Sequence, residues 1–79
     1  MTVEFKDHFP KMPTFALHRL LGANKHQAEI WEREHMLAKT RGIPAEIARL
    51  AARLKKARIE VRKAEVSLQA RDQAWGQAS

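Results

Sequence analysis

The sequence has no cysteine and no tyrosine, and only three glycines and three prolines among its 79 residues. Without cysteine the chain has no disulfide bond, no thiolate nucleophile and no cysteine-ligated zinc or iron–sulfur site. The longest uninterrupted apolar runs are three residues, far short of the roughly 20 that a membrane-spanning helix needs. We therefore expect a soluble, cytoplasmic protein with no membrane association. A chain this short builds one small core at most.

The sequence also lacks the residue patterns that carry catalysis. Ser67 and Ser79 have no histidine and carboxylate at a plausible spacing, and the isolated glycines form no phosphate-binding loop. Glu32 and His35 make one Glu-x-x-His pair, which is half of a carboxylate di-metal site, but the motif does not recur. We therefore predict no enzymatic activity, no cofactor and no bound metal.

One short segment carries the whole net charge. The chain has 15 Lys and Arg against 9 Asp and Glu, a formal charge of +6. Residues 49–63 hold seven of the cations and one acid, Glu60, so the remainder of the chain is neutral. A localised excess of this kind indicates association with an anionic partner and says nothing about fold.

The first of two long helices is predicted over about residues 14–41. Thr14 is a suitable N-cap, and an apolar stripe with alternating steps of four and three residues follows it. Gly22 and the following residues could break or bend this helix near 22–24. The stripe consists of Leu17, Leu21, Asn24, Ala28, Trp31, His35 and Ala38.

A tight turn and a second helix are predicted next. Gly42 suits the left-handed position after a helix, and Pro44 suits the first position of a new one, so residues 42–43 form the turn. Good helix formers without Gly or Pro then predict a helix over about residues 44–75. We expect Gly76 to close it.

Apolar residues of the second helix repeat every seven positions, which predicts a coiled-coil-like seam. Two long helices joined by a short turn fold back as an antiparallel helical hairpin, so the fold class is all-α. Each helix of a lone hairpin is covered on one side only, and we expect two copies to pair as a homodimer that forms a four-helix bundle. The predicted oligomer seam is Ile47, Leu50, Leu54, Ala57, Val61, Ala64, Leu68 and Trp75.

Residues 1–13 differ from the hairpin of residues 14–79. Val3 and Phe5 alternate as in a short strand, and two X-Pro pairs follow, which favour extended backbone. We therefore predict a short extended N-terminal arm. Its apolar content indicates packing along its own hairpin, with addition to a partner's sheet edge or exchange between protomers as alternatives.

Opposite the seam, the second helix carries a shorter apolar line with cations on both flanks. A line of this kind suits an acidic, partly apolar protein surface better than phosphates, which reward charge and hydrogen bonding alone. We therefore predict a small protein–protein interaction module that occupies a partner's surface as a regulator, inhibitor or assembly factor. The predicted partner-binding residues are Arg49, Arg53, Lys55, Lys56, Arg58, Ile59, Arg62, Lys63 and Val66.

Two alternatives stay open at this point. Residues 49–63 could bind nucleic acid, because their charge density suits a phosphate backbone. The basic face could also be an ordinary solvated helix surface whose Ile59 and Val66 are buried by a second copy of the chain.

Overall fold

The computed structural model describes the backbone of residues 5–78 and the side chains of residues 5–75. It contains two helices, α1 over Thr14–Arg41 and α2 over Pro44–Ala78, which pack against each other. No strand occurs in this part of the chain. The all-α helical hairpin is thus confirmed.

The start and continuity of α1 differ in detail from the sequence-based expectation. Pro13, with φ −61° and ψ 151°, occupies the N-cap position, and its carbonyl accepts a hydrogen bond from the Leu17 N–H at 3.0 Å. Thr14 is therefore the first helical residue and not the cap. The helix also continues without a break through Gly22, because a single glycine costs a helix only about 1 kcal/mol.

The turn between the helices forms as its sequence indicates. Gly42 adopts the left-handed conformation, with φ 70° and ψ 27°, and its N–H donates to the Ala38 carbonyl at 3.0 Å. Residues other than glycine pay a steric penalty in this conformation. Pro44 is the first residue of α2. That helix does not end at Gly76, as expected from the sequence, but runs to Ala78.

The contact between α1 and α2 is built from the two predicted apolar stripes. All seven residues of the α1 stripe are buried or half-buried. On α2, Leu50, Leu54 and Ala64 are buried, whereas Ile47 and the other seam residues up to Leu68 are half-buried. The predicted oligomer seam therefore faces α1 of the same chain for most of its length. Trp75 is the exception, with 81% of its surface exposed.

The hairpin is long and thin for its mass. Its dimensions are 54 × 29 × 16 Å and its radius of gyration is 16.2 Å, against about 12 Å for a compact chain of this length. The accessible surface is 6308 Å², whereas a compact monomer of 9.1 kDa exposes about 4,900 Å². Folding of a single chain thus leaves an unusually large surface uncovered.

Residues 5–13 are held on α2 by polar contacts. Ser67 is fully buried, and its Oγ accepts a hydrogen bond from the His8 N–H at 2.8 Å while donating to the Lys63 carbonyl at 2.8 Å. The Phe5 N–H reaches Oε1 of Gln73 at 3.4 Å. Val3, the first residue of the predicted strand-like alternation, lies outside the described residues.

Arg71 joins three parts of the chain. Its Nε donates to Oδ2 of Asp7 at 2.8 Å, its Nη2 to the Phe9 carbonyl at 2.7 Å and its Nη1 to Oγ1 of Thr14 at 3.1 Å. Arg71 occupies the position at which the apolar repeat of α2 is interrupted. The interruption therefore has a structural purpose, because the guanidinium ties residues 7–9 and the start of α1 to α2.

The Asp7 contact makes part of the stability depend on pH. Partial desolvation alone would raise the pKa of Asp7, but the hydrogen bonds from Arg71 and from the Phe9 N–H, at 2.9 Å, outweigh it and lower the pKa below 3.8. A lowered native pKa stabilises the fold above the unfolded pKa, and this contribution is lost as the pH falls through the native value. We expect Asp7→Asn to lower the free energy of unfolding at pH 6, and the deficit to shrink as the pH falls below the ordinary carboxyl pKa and through the lowered native one. Urea titrations of both proteins from pH 6 downward would measure the deficit, and a deficit that stays the same at every acidic pH would contradict the assignment.

Candidate interaction surface

The nine predicted partner-binding residues lie at different angles around the axis of α2, on the side that faces away from α1. Lys55, Arg58, Ile59 and Arg62 line one groove of about 470 Å³, together with other residues. Arg53 and Lys56 line a different groove on the other side of the hairpin. Arg49 and Lys63 are exposed, whereas Val66 is half-buried. The residues therefore form a band with two edges and not a single flat patch.

The groove beside Ile59, named here the basic groove, has an apolar floor and a cationic rim. Ala51 and Leu54 of α2 contribute to its lining, and His35 contributes from α1. Ile59 is 46% exposed. The cations of its rim are Lys55, Arg58 and Arg62.

The groove on the other side is smaller, about 230 Å³, and is built around Trp31. The Arg53 guanidinium lies over the indole ring, 5.2 Å from its centroid. A cation–π contact of this kind stabilises by about 0.5–1 kcal/mol at an exposed site. Because the guanidinium already covers one face of the ring, Trp31 is a poor platform for stacking a nucleic-acid base on that face.

Several cations of residues 49–63 are not neutralised within the chain. Arg58 lies 4.0 Å from Glu32 of α1, and Lys63 lies 3.5 Å from Glu60. Both are surface pairs, which contribute about 0–1 kcal/mol. Within the described residues no ion pair involves the other five cations of the segment, of which Arg53 contacts the Trp31 ring. These five are Arg49, Arg53, Lys55, Lys56 and Arg62.

A second surface feature lies on α1 and was not anticipated from the sequence. A groove of about 470 Å³, named here the α1 groove, has Glu29, Glu32, Arg33 and Met36 in its lining, so it carries two acids and a cation. Met36 is 63% exposed. The signal in the sequence is the spacing of these four residues, which recur three and four positions apart and so share one helix face. They lie beside the buried stripe and are not part of it.

The Glu-x-x-His pair is not part of a larger ligand set in the region that the structure covers. The nearest charged partner of Glu32 is Arg58, and His35 is a half-buried residue of the basic groove. Among the described residues, no three His, Asp or Glu side chains converge as metal ligands would. In the same region, neither helix has the length and apolarity needed to cross a bilayer.

Comparisons with known proteins give no family for this chain. No protein-family model matches it, and no curated protein or solved structure matches it. Any statement about function therefore rests on the surface described above.

Proposed function

We propose that this chain is a small, non-enzymatic protein–protein interaction module. It acts by occupying the surface of a partner protein, as a regulator, inhibitor or assembly factor. The observation that carries the proposal is the exposure of Ile59 beside Lys55 and Arg62, two cations that form no ion pair within the described residues. An exposed isoleucine and unpaired cations together suit a partner surface that is acidic and partly apolar.

Apolar and charged parts of this face make different contributions to binding. Burial of the exposed half of Ile59 adds on the order of 1 kcal/mol. The cations stand three or four residues apart along α2, as Lys55, Arg58 and Arg62 do, and each like-charge pair costs the helix a few tenths of a kcal/mol. An anionic partner relieves that repulsion. The cations therefore orient the partner and raise the association rate, whereas Ile59 contributes buried apolar surface.

The proposal includes assembly and location. We propose that the chain works in the cytoplasm, as a homodimer that forms a four-helix bundle, with residues 1–13 as an arm packed along its own hairpin. The excess of exposed surface over that of a compact monomer supports the dimer. The hydrogen bonds from His8 to Ser67 and from Arg71 to Asp7 and Phe9 support the packing of the arm.

Nucleic-acid binding through residues 49–63 is the second candidate, favoured by the unpaired cations. It predicts an affinity that falls log-linearly with salt and does not depend on Ile59, because phosphates gain nothing from an isoleucine. We expect the double variant Lys56→Glu/Arg62→Glu to abolish any such binding.

An affinity capture with the purified, tagged chain tests the proposal. With nuclease present, the wild-type chain is expected to capture a partner protein. Ile59→Asp is expected to reduce the amount captured at least tenfold, because a carboxylate replaces the apolar contact and is repelled by an acidic surface. Ile30→Asp is the matched control, since Ile30 is 39% exposed and lies on α1, away from the basic segment.

Two results would reject this function. Equal capture by the Ile59 and Ile30 variants would show that the face is not the binding surface. Capture that disappears on nuclease treatment, together with loss of DNA or RNA binding in Lys56→Glu/Arg62→Glu, would favour nucleic acid instead.

A further inference from the structure

We infer that residues 5–9, named here the arm segment, occupy the C-terminal part of the partner-binding face as an internal ligand, and that a partner protein displaces them to bind there. The inference rests on the proposed function, which makes the outer side of α2 an interaction surface, and it adds the chemistry of the partner. The partner presents an extended segment with a carboxylate between two aromatic side chains.

The arm segment runs along α2 for almost two turns. The His8 N–H donates to Oγ of Ser67 at 2.8 Å, and the Phe5 N–H donates to Oε1 of Gln73 at 3.4 Å. Three extended residues reach about 10 Å, and the helix rises about 9 Å between these two acceptor residues. Ala70 stands midway between them in a row of residues spaced by three. The arm segment therefore passes over Ala70, which is half-buried.

The apolar line that contains Ile59 continues beneath the arm segment. Val66 is two positions from both Ala64 and Leu68, which belong to the seam facing α1, so Val66 lies on the opposite side of α2. Ile59 stands seven residues earlier on the same line and is 46% exposed, whereas Val66 is half-buried. Both have Lys and Arg three or four positions away, so neighbours on α2 do not explain the difference. The arm segment, bonded to the adjacent Ser67, supplies the cover.

The arm segment presents acidic and aromatic side chains to α2. Phe5, Asp7 and Phe9 are half-buried, whereas Lys6 and His8 between them are exposed. This alternation is that of an extended chain with one side against a surface. The inner side therefore consists of one carboxylate between two phenylalanines.

Arg71 receives the arm segment as a cation of the face would receive an acidic partner. Its Nε donates to Oδ2 of Asp7 at 2.8 Å, and its Nη2 donates to the Phe9 carbonyl at 2.7 Å. Hydrogen bonds between ionised groups are short and strong. The chain thus contains one example of the acidic, partly apolar surface that the proposed function assigns to the partner.

The hairpin does not need the arm segment to complete its core. Every buried apolar residue of the described chain lies in α1 or α2. Ser67 also keeps its hydrogen bond to the Lys63 carbonyl when the His8 N–H leaves. The arm segment can therefore be displaced while α1 and α2 remain packed. The buried apolar residues are Leu17, Ala38, Leu50, Leu54 and Ala64.

A synthetic peptide with the sequence of residues 5–13 tests the site in the full chain. Asp7→Ala removes the carboxylate that holds the arm segment, so the peptide is expected to shift the amide NMR signals of residues 66–71 in this variant. In the wild-type chain the same shifts are expected to need about tenfold more peptide, because the site is occupied. Lys6→Ala removes an exposed charge next to Asp7 and is expected to behave as wild type.

Two controls test the chemistry of the contact. A peptide with lysine in place of its aspartate is expected to cause no shifts at residues 66–71. Arg71→Leu added to the Asp7→Ala chain is expected to abolish the shifts caused by the original peptide, whereas Arg62→Leu is expected to preserve them. Circular dichroism would verify that each variant keeps the helix signal.

Capture of the partner tests displacement. Because the arm segment competes with the partner, Asp7→Ala is expected to raise the amount captured about threefold over both the wild-type chain and Lys6→Ala. An Asp7→Ala chain that captures less than Lys6→Ala would show that the arm segment contributes to the interface and does not block it, which would overturn the inference.

Three further outcomes are decisive. An absence of shifts at residues 66–71 in the Asp7→Ala chain at millimolar peptide would overturn the inference, and a capture that still depends on Ile59 would leave the proposed function intact. A wild-type dimer that becomes a monomer in Asp7→Ala would overturn it as well, because the arm segment would then fill the site of a second copy. Peptide binding without any captured partner would support the site and reject the proposed function.

Discussion

Replacement of Leu54 by aspartate is expected to unfold the hairpin at 25 °C. Leu54 is 5% exposed and stands near the middle of the contact between the helices. The described core has only five buried apolar residues, of which three are leucines. A core of this size rarely supplies more than about 3–5 kcal/mol of stability. Loss of the leucine contacts costs about 2–5 kcal/mol, and an unpaired buried carboxylate adds several more.

Far-UV circular dichroism and urea unfolding would measure this effect. We expect Leu54→Asp to show a large loss of helix signal, and Leu54→Ala to fold with a clearly lowered urea midpoint. Ile59→Asp is the matched control on the same helix, since its side chain is already 46% exposed; it is expected to keep the wild-type helix signal. A Leu54→Asp protein with a full helix signal and an unchanged midpoint would contradict the packing of α1 on α2.

Replacement of Arg71 by leucine is expected to release residues 5–13 from α2. The guanidinium donates to Asp7, to the Phe9 carbonyl and to Thr14, and the first two contacts are 2.8 and 2.7 Å long. Hydrogen bonds that involve a charged group contribute about 1.5–3 kcal/mol each. Because one side chain makes all three hydrogen bonds, we expect the variant to have a free energy of unfolding lower by about 2–4 kcal/mol in total. Residues 5–13 are expected to be the part of the chain that loosens most.

Amide hydrogen exchange would localise the effect of Arg71→Leu. The N–H groups of His8 and Met12 are hydrogen-bonded, to Ser67 and to the Phe9 carbonyl, and we expect their exchange to accelerate more than tenfold. Arg62→Leu is the control, since Arg62 is exposed and has no ion pair within the described residues; it is expected to leave both rates unchanged. Unchanged rates in Arg71→Leu would show that other contacts hold the segment.

The features that could be predicted from the sequence are those set by local periodicity. The apolar stripe from Leu17 to Ala38 and the buried positions Leu50, Leu54 and Ala64 follow from spacing at the helical repeat. Gly42 and Pro44 mark the turn because each fits one backbone conformation that other residues adopt at a cost. These local signals were enough to predict two helices that pack on each other.

Features that depend on distant contacts could not be predicted in this way. Arg71 appeared as a break in the seam, because its partners Asp7, Phe9 and Thr14 are 57 to 64 residues away in the sequence. The sequence predicts that Gly22 weakens α1 and that Gly76 ends α2, but both helices continue through these residues. A single glycine lowers helix stability by only about 1 kcal/mol, which the surrounding helical turns offset.

The candidate surface was predicted in composition but not in shape. Residues 49–63 stood out by charge, and the helical wheel placed Ile59 on the outer side of α2, where the structure finds it exposed. The division of the cations between two grooves depends on how α1 borders each side of α2. That information required the packed hairpin, whereas the α1 groove beside Glu32 is lined by residues of α1 alone.

We propose that the face around Ile59 contacts a partner protein. Site-specific photo-crosslinking would detect this contact, with a photoreactive residue in place of Ile59 in one chain and in place of Ile30 in another. We expect a crosslink from position 59 to one defined acidic protein, resistant to nuclease, and none to that protein from position 30. Crosslinks to nucleic acid alone, or the same protein captured from both positions, would show that this face does not bind a partner protein.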